Sequence, residues 1–343
     1  MILTVLFVLY LLSSHVSYKV DGNPSIQKDD WELERQLEII TKPAIKSIHK
    51  KPNFQNVTGE ISQKTSRTRP MFGLGKHECP TGTVPILRTT KDDLIREKSL
   101  LNDHILLQDI PGVHVAEVSV KPNYGPYYGV GGLNSIFNPR VDTNLQISMS
   151  HLWVQNGPIE STNKISLGWH SDNFKKTGCY NIRCAGFVQT SKEIFIGRSI
   201  GTISQYGGRL CVLAFSITQD PITKNWWISI DNKSIGYFPA KLFSNMSSAN
   251  EVGWGGRTRT HPGTQSPEMG SGHFPHDDNP THACFYEQIS IQDNERKTHG
   301  VKVYEANSFT DKPNCYDVRY YGDKGPPFGH ILMFGGPGGN CGN

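Results

Sequence analysis

Trp226-Trp227-Ile228-Ser229-Ile230-Asp231-Asn232-Lys233-Ser234-Ile235-Gly236-Tyr237-Phe238 reads as two short strands joined by a polar break. Trp226–Ile230 and Ile235–Phe238 are rich in aromatic and β-branched residues, which suit a pleated, half-buried surface, and Asp231–Ser234 between them is hairpin-like. Leu145, Ile147 and Met149 alternate with Gln146, Ser148 and Ser150, and Ile194 and Ile196 flank Phe195 in the same way. From Val113 onward such runs recur between Gly, Pro and Asn with no long helical period, which predicts an all-β fold, a β-sandwich or barrel, rather than alternating β/α units. The pairs Gly131-Gly132, Gly207-Gly208, Gly255-Gly256 and Gly335-Gly336 mark bulges, corners or a close backbone approach to a ligand.

The chain has 343 residues, enough for two or three domains, and its 34 Gly and 21 Pro favour a turn-rich body. A net charge of +4 is too small for the dense basic stripe of a nucleic-acid binder, so nucleic acid is set aside. Ile2–Leu12 is the strongly apolar run, too short to span a bilayer and of the length of a signal-peptide core. Residues 1–22 are therefore expected to be a signal peptide, directing the protein to the extracellular space or vacuole with no membrane span after removal. Sequons at Asn56, Asn232 and Asn245 are compatible with glycosylation on that route. Trp31–Ile40, with Leu33, Leu37 and Ile40 on one face, predicts a short helix that Pro43 ends, and Lys46–Lys76 is a polar linker. Cys79–Arg88 is a turn followed by a strand, and Lys91–Leu101 a charged helix. Residues 23–108 thus form a small separate region ahead of a strand-rich domain at 112–343.

Seven cysteines are few for a disulfide scaffold but suit a large secreted domain with some staples. Cys179 and Cys184 are spaced for a small tied loop, and Cys315 and Cys341 bracket the last segment, so these two pairs are expected to bond. Cys211 and Cys284 lie in apolar stretches that suit buried thiols, with a cross-strand bridge as the alternative. Neither a metal nor a cofactor is expected. His273, His276, Asp277, Asp278 and His282 are ligand-rich, but Pro275 and Pro280 among them suit an exposed loop. Gly197-Arg198-Ser199-Ile200-Gly201 fits the serine-hydrolase elbow pattern, yet a strand rather than a helix follows, so it reads as a turn. One of Trp226 and Trp227 belongs in the core, and the other is a candidate platform for a sugar ring.

Gly178-Cys179-Tyr180-Asn181, Gly186-Phe187-Val188-Gln189-Thr190, Tyr206-Gly207-Gly208, Asn225-Trp226-Trp227, Ile235–Ala240, Gly255-Gly256, Met269–Phe274 and Asn314–Asp317 resemble, in order, the plant neprosin family. The resemblance runs from about Val113 to the C-terminus, while Leu33–Ile40 and Cys79–Arg88 look like that family's activation peptide. It implies a secreted, glycosylated glutamic peptidase that cuts after proline in acid, with an antiparallel β-sandwich domain released from an inhibitory N-terminal segment. It also implies a substrate groove along Trp169, Gly255, Gly256, Met269 and His273.

Such an enzyme needs one ionised carboxyl to take a proton from water and one protonated carboxyl to donate. Aligned on Gly168-Trp169 and on Gly255-Gly256, the family's two glutamates fall at Ser166 and Arg257. Serine cannot act as a carboxylate base, and arginine stays charged and has no acceptor. Glu160 and Glu251 lie too far along their strands to substitute, whereas Glu268 is the candidate replacement acid or else an ion-pair partner of Arg257. The expectation is a prolyl-endopeptidase-like domain that has lost its dyad and keeps a surface for proline-containing peptides or cell-wall protein. The alternatives are an active acid peptidase working through Glu268 and a carbohydrate- or wall-binding sandwich.

Overall fold

The computed structural model describes residues 111–142, 146–157, 162–171, 187–197 and 200–342, together with 34–35, 37, 51–54, 79–86 and 90–91. Cys179, Cys184, Asn56, Glu160 and Ser199 lie outside these. The chain divides into two units, Met1–Lys42 and Pro43–Asn343. In the first, the described residues 34, 35 and 37 are helical, within the helix expected over Trp31–Ile40.

From residue 111 on, the described residues of the second unit form a β body of fourteen strands: β1 Val113–Val120, β2 Gly129–Ser135, β3 Ile147–Asn156, β4 Asn163–Ser171, β5 Val188–Gln189, β6 Val212–Gln219, β7 Trp226–Ile230, β8 Lys233–Phe238, β9 Glu251–Arg259, β10 Cys284–Gln292, β11 Thr298–His299, β12 Ala306–Thr310, β13 Asp317–Asp323 and β14 His330–Gly335. Five form one antiparallel sheet in the order β12-β1-β9-β3-β4. The other nine form a second sheet, β13-β14-β10-β2-β6-β7-β8-β5, with β11 beside β10. Their apolar faces pack as a sandwich.

Alternation along each strand builds the layer between the sheets. Ala116, Val118, Leu152, Val154, Ile165, Leu167, Val252 and Trp254 of the smaller sheet are buried in one cluster with Leu213, Phe215, Ile217, Trp226, Tyr286 and Phe334 of the larger. Trp254 donates its indole N–H across the gap to Gly131 O at 3.1 Å. Gly256 faces the same layer, and a Cβ there would come within 2.6 Å of the Met269 sulfur, so its missing side chain makes room for Met269. A smaller cluster of Leu133, Val212, Ala214, Ala283, Phe285, Ile331 and Met333 lies apart from this core.

Two local readings change. Strand β8 begins at Lys233, so the hairpin turn is Asp231-Asn232 alone, and both residues sit in the left-handed region with φ of 49° and 61°, the geometry that suits two-residue hairpins. On β3 the apolar-looking residue Met149 shares the outer face, while the fully buried Ser148 and Ser150 point inward. Ser150 donates to Asn134 Oδ1 at 2.9 Å, which removes the cost of burying its hydroxyl. Trp226 and Trp227 are both buried, so neither offers an exposed sugar platform.

Cys315 and Cys341 are bonded to each other, and Cys211 and Cys284 are buried thiols. Asn232 and Asn245 are exposed. Part of the region preceding the sandwich is held against it, since the Asn53 backbone N–H donates to the buried Asp220 carboxylate at 2.8 Å and Gln189 donates to Pro85 O. No helix among the described residues is long and apolar enough to cross a membrane.

Candidate active site

Glu117, His151, Ser166 and Arg257 come from four adjacent strands and face away from the sandwich core. The register sets this up. Glu117 of β1 and His151 of β3 both stand opposite Gly255 of β9, and His151 in turn stands opposite Gly168 of β4. The row across the sheet therefore alternates a long polar side chain with glycine. Gly255 has φ of +149°, where L-residues are strained, and a Cβ built on it would lie 2.3 Å from Ala116 O. With no side chain between them, Glu117 Oε1 and His151 Nε2 meet at 2.8 Å over the top of β9. Gly168 serves the other flank, where a Cβ would fall 1.9 Å from Ser150 O.

From the other ring nitrogen, His151 Nδ1 lies 2.6 Å from Ser166 Oγ. Arg257, two residues along β9 from Gly255, grips Glu117 with two bonds, Nε to Oε1 and Nη2 to Oε2, the second at 3.0 Å. His151, Glu117 and Arg257 are buried, and Ser166 is half-buried. Lys164, on the same face of β4 as Ser166, places its ammonium 4.2 Å from the centroid of the Trp153 ring.

Burial alone would raise the Glu117 carboxyl, but the Arg257 charge and the His151 hydrogen bond outweigh it and hold the group well below the usual carboxylate range. Burial pushes His151 down to about 4 despite the Glu117 contact, so the imidazole is neutral at neutral pH. Burial together with the Arg257 charge brings Lys164 down to about 7. Because an ionised carboxylate only accepts, His151 Nε2 carries the proton toward Glu117, and Nδ1 is left to accept the Ser166 hydroxyl.

The two positions singled out by the glutamate alignment, Ser166 and Arg257, are thus joined through Glu117 and His151 in one cluster. The expected Arg257–Glu268 ion pair is replaced by Arg257–Glu117. Glu268 instead accepts the Arg140 backbone N–H at 2.8 Å. Glu251 accepts from Gln155 Nε2 at 2.7 Å. Of the residues expected along a groove, Gly255 lies in the cluster, whereas Trp169, Gly256 and Met269 belong to the core. His273 is exposed on a loop, where it and His282 both stack on the Tyr206 ring, at centroid distances of 3.9 and 4.5 Å. His282 pairs with Asp277 and His276 with Asp317, and among the described residues no group of three or more His, Cys, Asp or Glu is set to hold a metal ion.

Glu117 and His151 escaped the sequence reading. A carboxylate at the centre of Val-His-Val-Ala-Glu-Val-Ser-Val and an imidazole in Met-Ser-His-Leu-Trp-Val were the available signals, since a charge amid apolar residues demands a partner. What joins them is a register between strands distant in sequence.

The family model described as Neprosin matches residues 169–337. Among solved structures, SCP-B, a member of the eqolisin family of peptidases in complex with the tripeptide Ala-Ile-His, is similar at 11% identity, over 65% of this chain and 97% of that one, with a TM-score of 0.36. Scytalido-glutamic peptidase with a peptide-based transition-state analogue is similar at 10% identity over the same shares, with a TM-score of 0.35. The match over residues 169–337 identifies a neprosin domain in this chain.

Proposed function

We propose that this is a secreted neprosin-domain protein in which the glutamic dyad has been replaced, so that acid-dependent cleavage after proline by paired carboxyls is lost. The observation that carries the reading is the two-bond grip of Arg257 on Glu117. A glutamic peptidase needs one carboxyl kept protonated and another free to take a proton from water. Among the described residues the cluster holds a single carboxyl, held in its ionised form and occupied by a guanidinium and an imidazole. It can neither donate a proton nor reach a water as a base. The apolar Ile2–Leu12 run and the Cys315–Cys341 bond, which suits an oxidising compartment, support secretion. The surface that remains is suited to proline-containing peptides or wall protein.

The test is incubation of the purified full-length chain with a proline-containing peptide library from pH 3 to 8, read by mass spectrometry. The expected result is no post-proline cleavage with an acid optimum. Acid-dependent cleavage that disappears on Glu268→Gln would instead establish a relocated carboxyl.

A further inference from the structure

The cluster that cannot run carboxyl chemistry has the connectivity of another kind of catalyst: a hydroxyl, an imidazole and a carboxylate in a line. We propose that Ser166 is a nucleophile, with His151 as its general base and Glu117 as the carboxylate that orients the base, and that this face hydrolyses acyl esters or amides by a serine mechanism. The inference rests on the reading that Glu117 is not half of a carboxyl dyad.

Three observations carry it. The links are short and continuous, 2.6 Å from Ser166 Oγ to His151 Nδ1 and 2.8 Å from His151 Nε2 to Glu117 Oε1, which is the geometry a nucleophile, a base and an orienting group require. The proton positions are right, because the ionised Glu117 fixes the tautomer that leaves Nδ1 free to accept the hydroxyl proton. The burial gradient is right as well. Base and carboxylate are shielded from water, while the hydroxyl is half-buried on β4, which among the described residues is one of the two edge strands of its sheet. An edge strand suits a substrate presented in extended form alongside it.

The step balances without any further reagent. Ser166 Oγ attacks the carbonyl carbon as its proton passes to His151 Nδ1. The tetrahedral oxyanion collapses and breaks the bond to the leaving oxygen or nitrogen, which takes the proton from His151. This leaves an acyl ester on Ser166. Water attacks that ester, gives its proton to Nδ1, and releases the acid as the serine oxygen is reprotonated. One ester or amide and one water become one acid and one alcohol or amine.

Among the described residues, the charged and titratable groups facing His151 are Glu117 from β1, Arg257 from β9 and Lys164 from β4. Their balance with burial keeps the imidazole neutral down to about pH 4, so the base is in its accepting form throughout the neutral range. A carboxyl dyad would show the opposite profile, with activity confined to acid.

The experiment treats the full chain with a fluorophosphonate probe at pH 4 to 8 and maps the adduct by peptide mass spectrometry, with p-nitrophenyl acetate hydrolysis as a second readout. The expected adduct is on Ser166. Ser166→Ala should abolish both signals, and His151→Gln should slow labelling by roughly a hundredfold or more. If His151→Gln melts, Ser166→Cys keeps the question open to measurement, since a cysteine activated by His151 should react with iodoacetamide at pH 6, ahead of an ordinary thiol. A folded protein with Ser166 unlabelled, or labelled only on another serine, overturns the inference and leaves the loss of the glutamic dyad standing. Acid-dependent post-proline cleavage that survives Ser166→Ala overturns the dyad-loss reading itself.

Discussion

Glu117 and His151 belong to strands separated by a third, yet they are hydrogen-bonded at 2.8 Å because the residue between them is Gly255. The glycine does two jobs at once. Its φ of +149° suits the local backbone, and its missing side chain leaves the space through which the carboxylate and imidazole meet. Gly255→Ala should therefore lower stability by about 2–3 kcal/mol, combining backbone strain with collision against β1. Chemical denaturation would measure it. A change below about 0.5 kcal/mol would mean that the strand crossing differs from the one described.

The buried Glu117–Arg257 pair gives a second expectation. Removing either partner strands a charge, so Glu117→Gln or Arg257→Met alone should each cost about 3–5 kcal/mol. Replacing both by apolar residues of similar volume should cost clearly less than the sum of the two, and a double-mutant cycle from urea denaturation would show the coupling. Additivity would contradict the pairing.

Acid should weaken the fold at this site. His151 falls from 6.5 to about 4 in the folded protein, so between those values the unfolded chain takes up a proton that the native one refuses. The stabilisation present above pH 6.5 is lost as pH drops through 4, a contribution on the order of 3 kcal/mol. Lys164, lowered from 10.5 to about 7, acts in the same direction over the higher window, with stability lost as pH falls from 10.5 to 7. His151→Gln should flatten the slope between pH 6.5 and 4 when melting is followed against pH. An unchanged slope would place the titrating group elsewhere.

Among the described cysteines, Cys315 and Cys341 are bonded, Cys211 and Cys284 are buried thiols, and Cys79 is a half-buried free thiol. Burial raises the Cys211 thiol to about 11 and Cys284 to about 12, so neither is a thiolate at neutral pH or open to reagent. Iodoacetamide mapping of the native protein should leave both unmodified and label them only on unfolding. Replacing Cys315 and Cys341 together by serine should cost about 3 kcal/mol by freeing the loop they close.

The strand runs and the β-sandwich were legible in the sequence because alternation and turn residues are local signals. The alignment on Gly168-Trp169 and Gly255-Gly256 also marked Ser166 and Arg257, two positions that the structure joins in one cluster. What escaped was non-local. Nothing near Glu117 in the chain says that β9 will lie between it and His151, and nothing near Arg257 says that its counter-charge comes from β1 rather than from Glu268. The inward face of β3 was hidden for a related reason, since Ser148 and Ser150 look like solvent-facing residues until Asn134 of the opposite sheet supplies a partner for Ser150.

Arg257 and His151 hold the buried Glu117 carboxyl well below the usual carboxylate range, which bars it from serving as the proton donor of a glutamic peptidase. The direct measurement is carboxyl 13C NMR of the glutamate-labelled protein against pH, with Glu117→Gln used to assign the resonance. Glu117 should stay ionised well below the ordinary carboxylate range, losing its charge only as the fold fails. A Glu117 resonance titrating near pH 6, the range of a carboxyl kept as an acid, would contradict it.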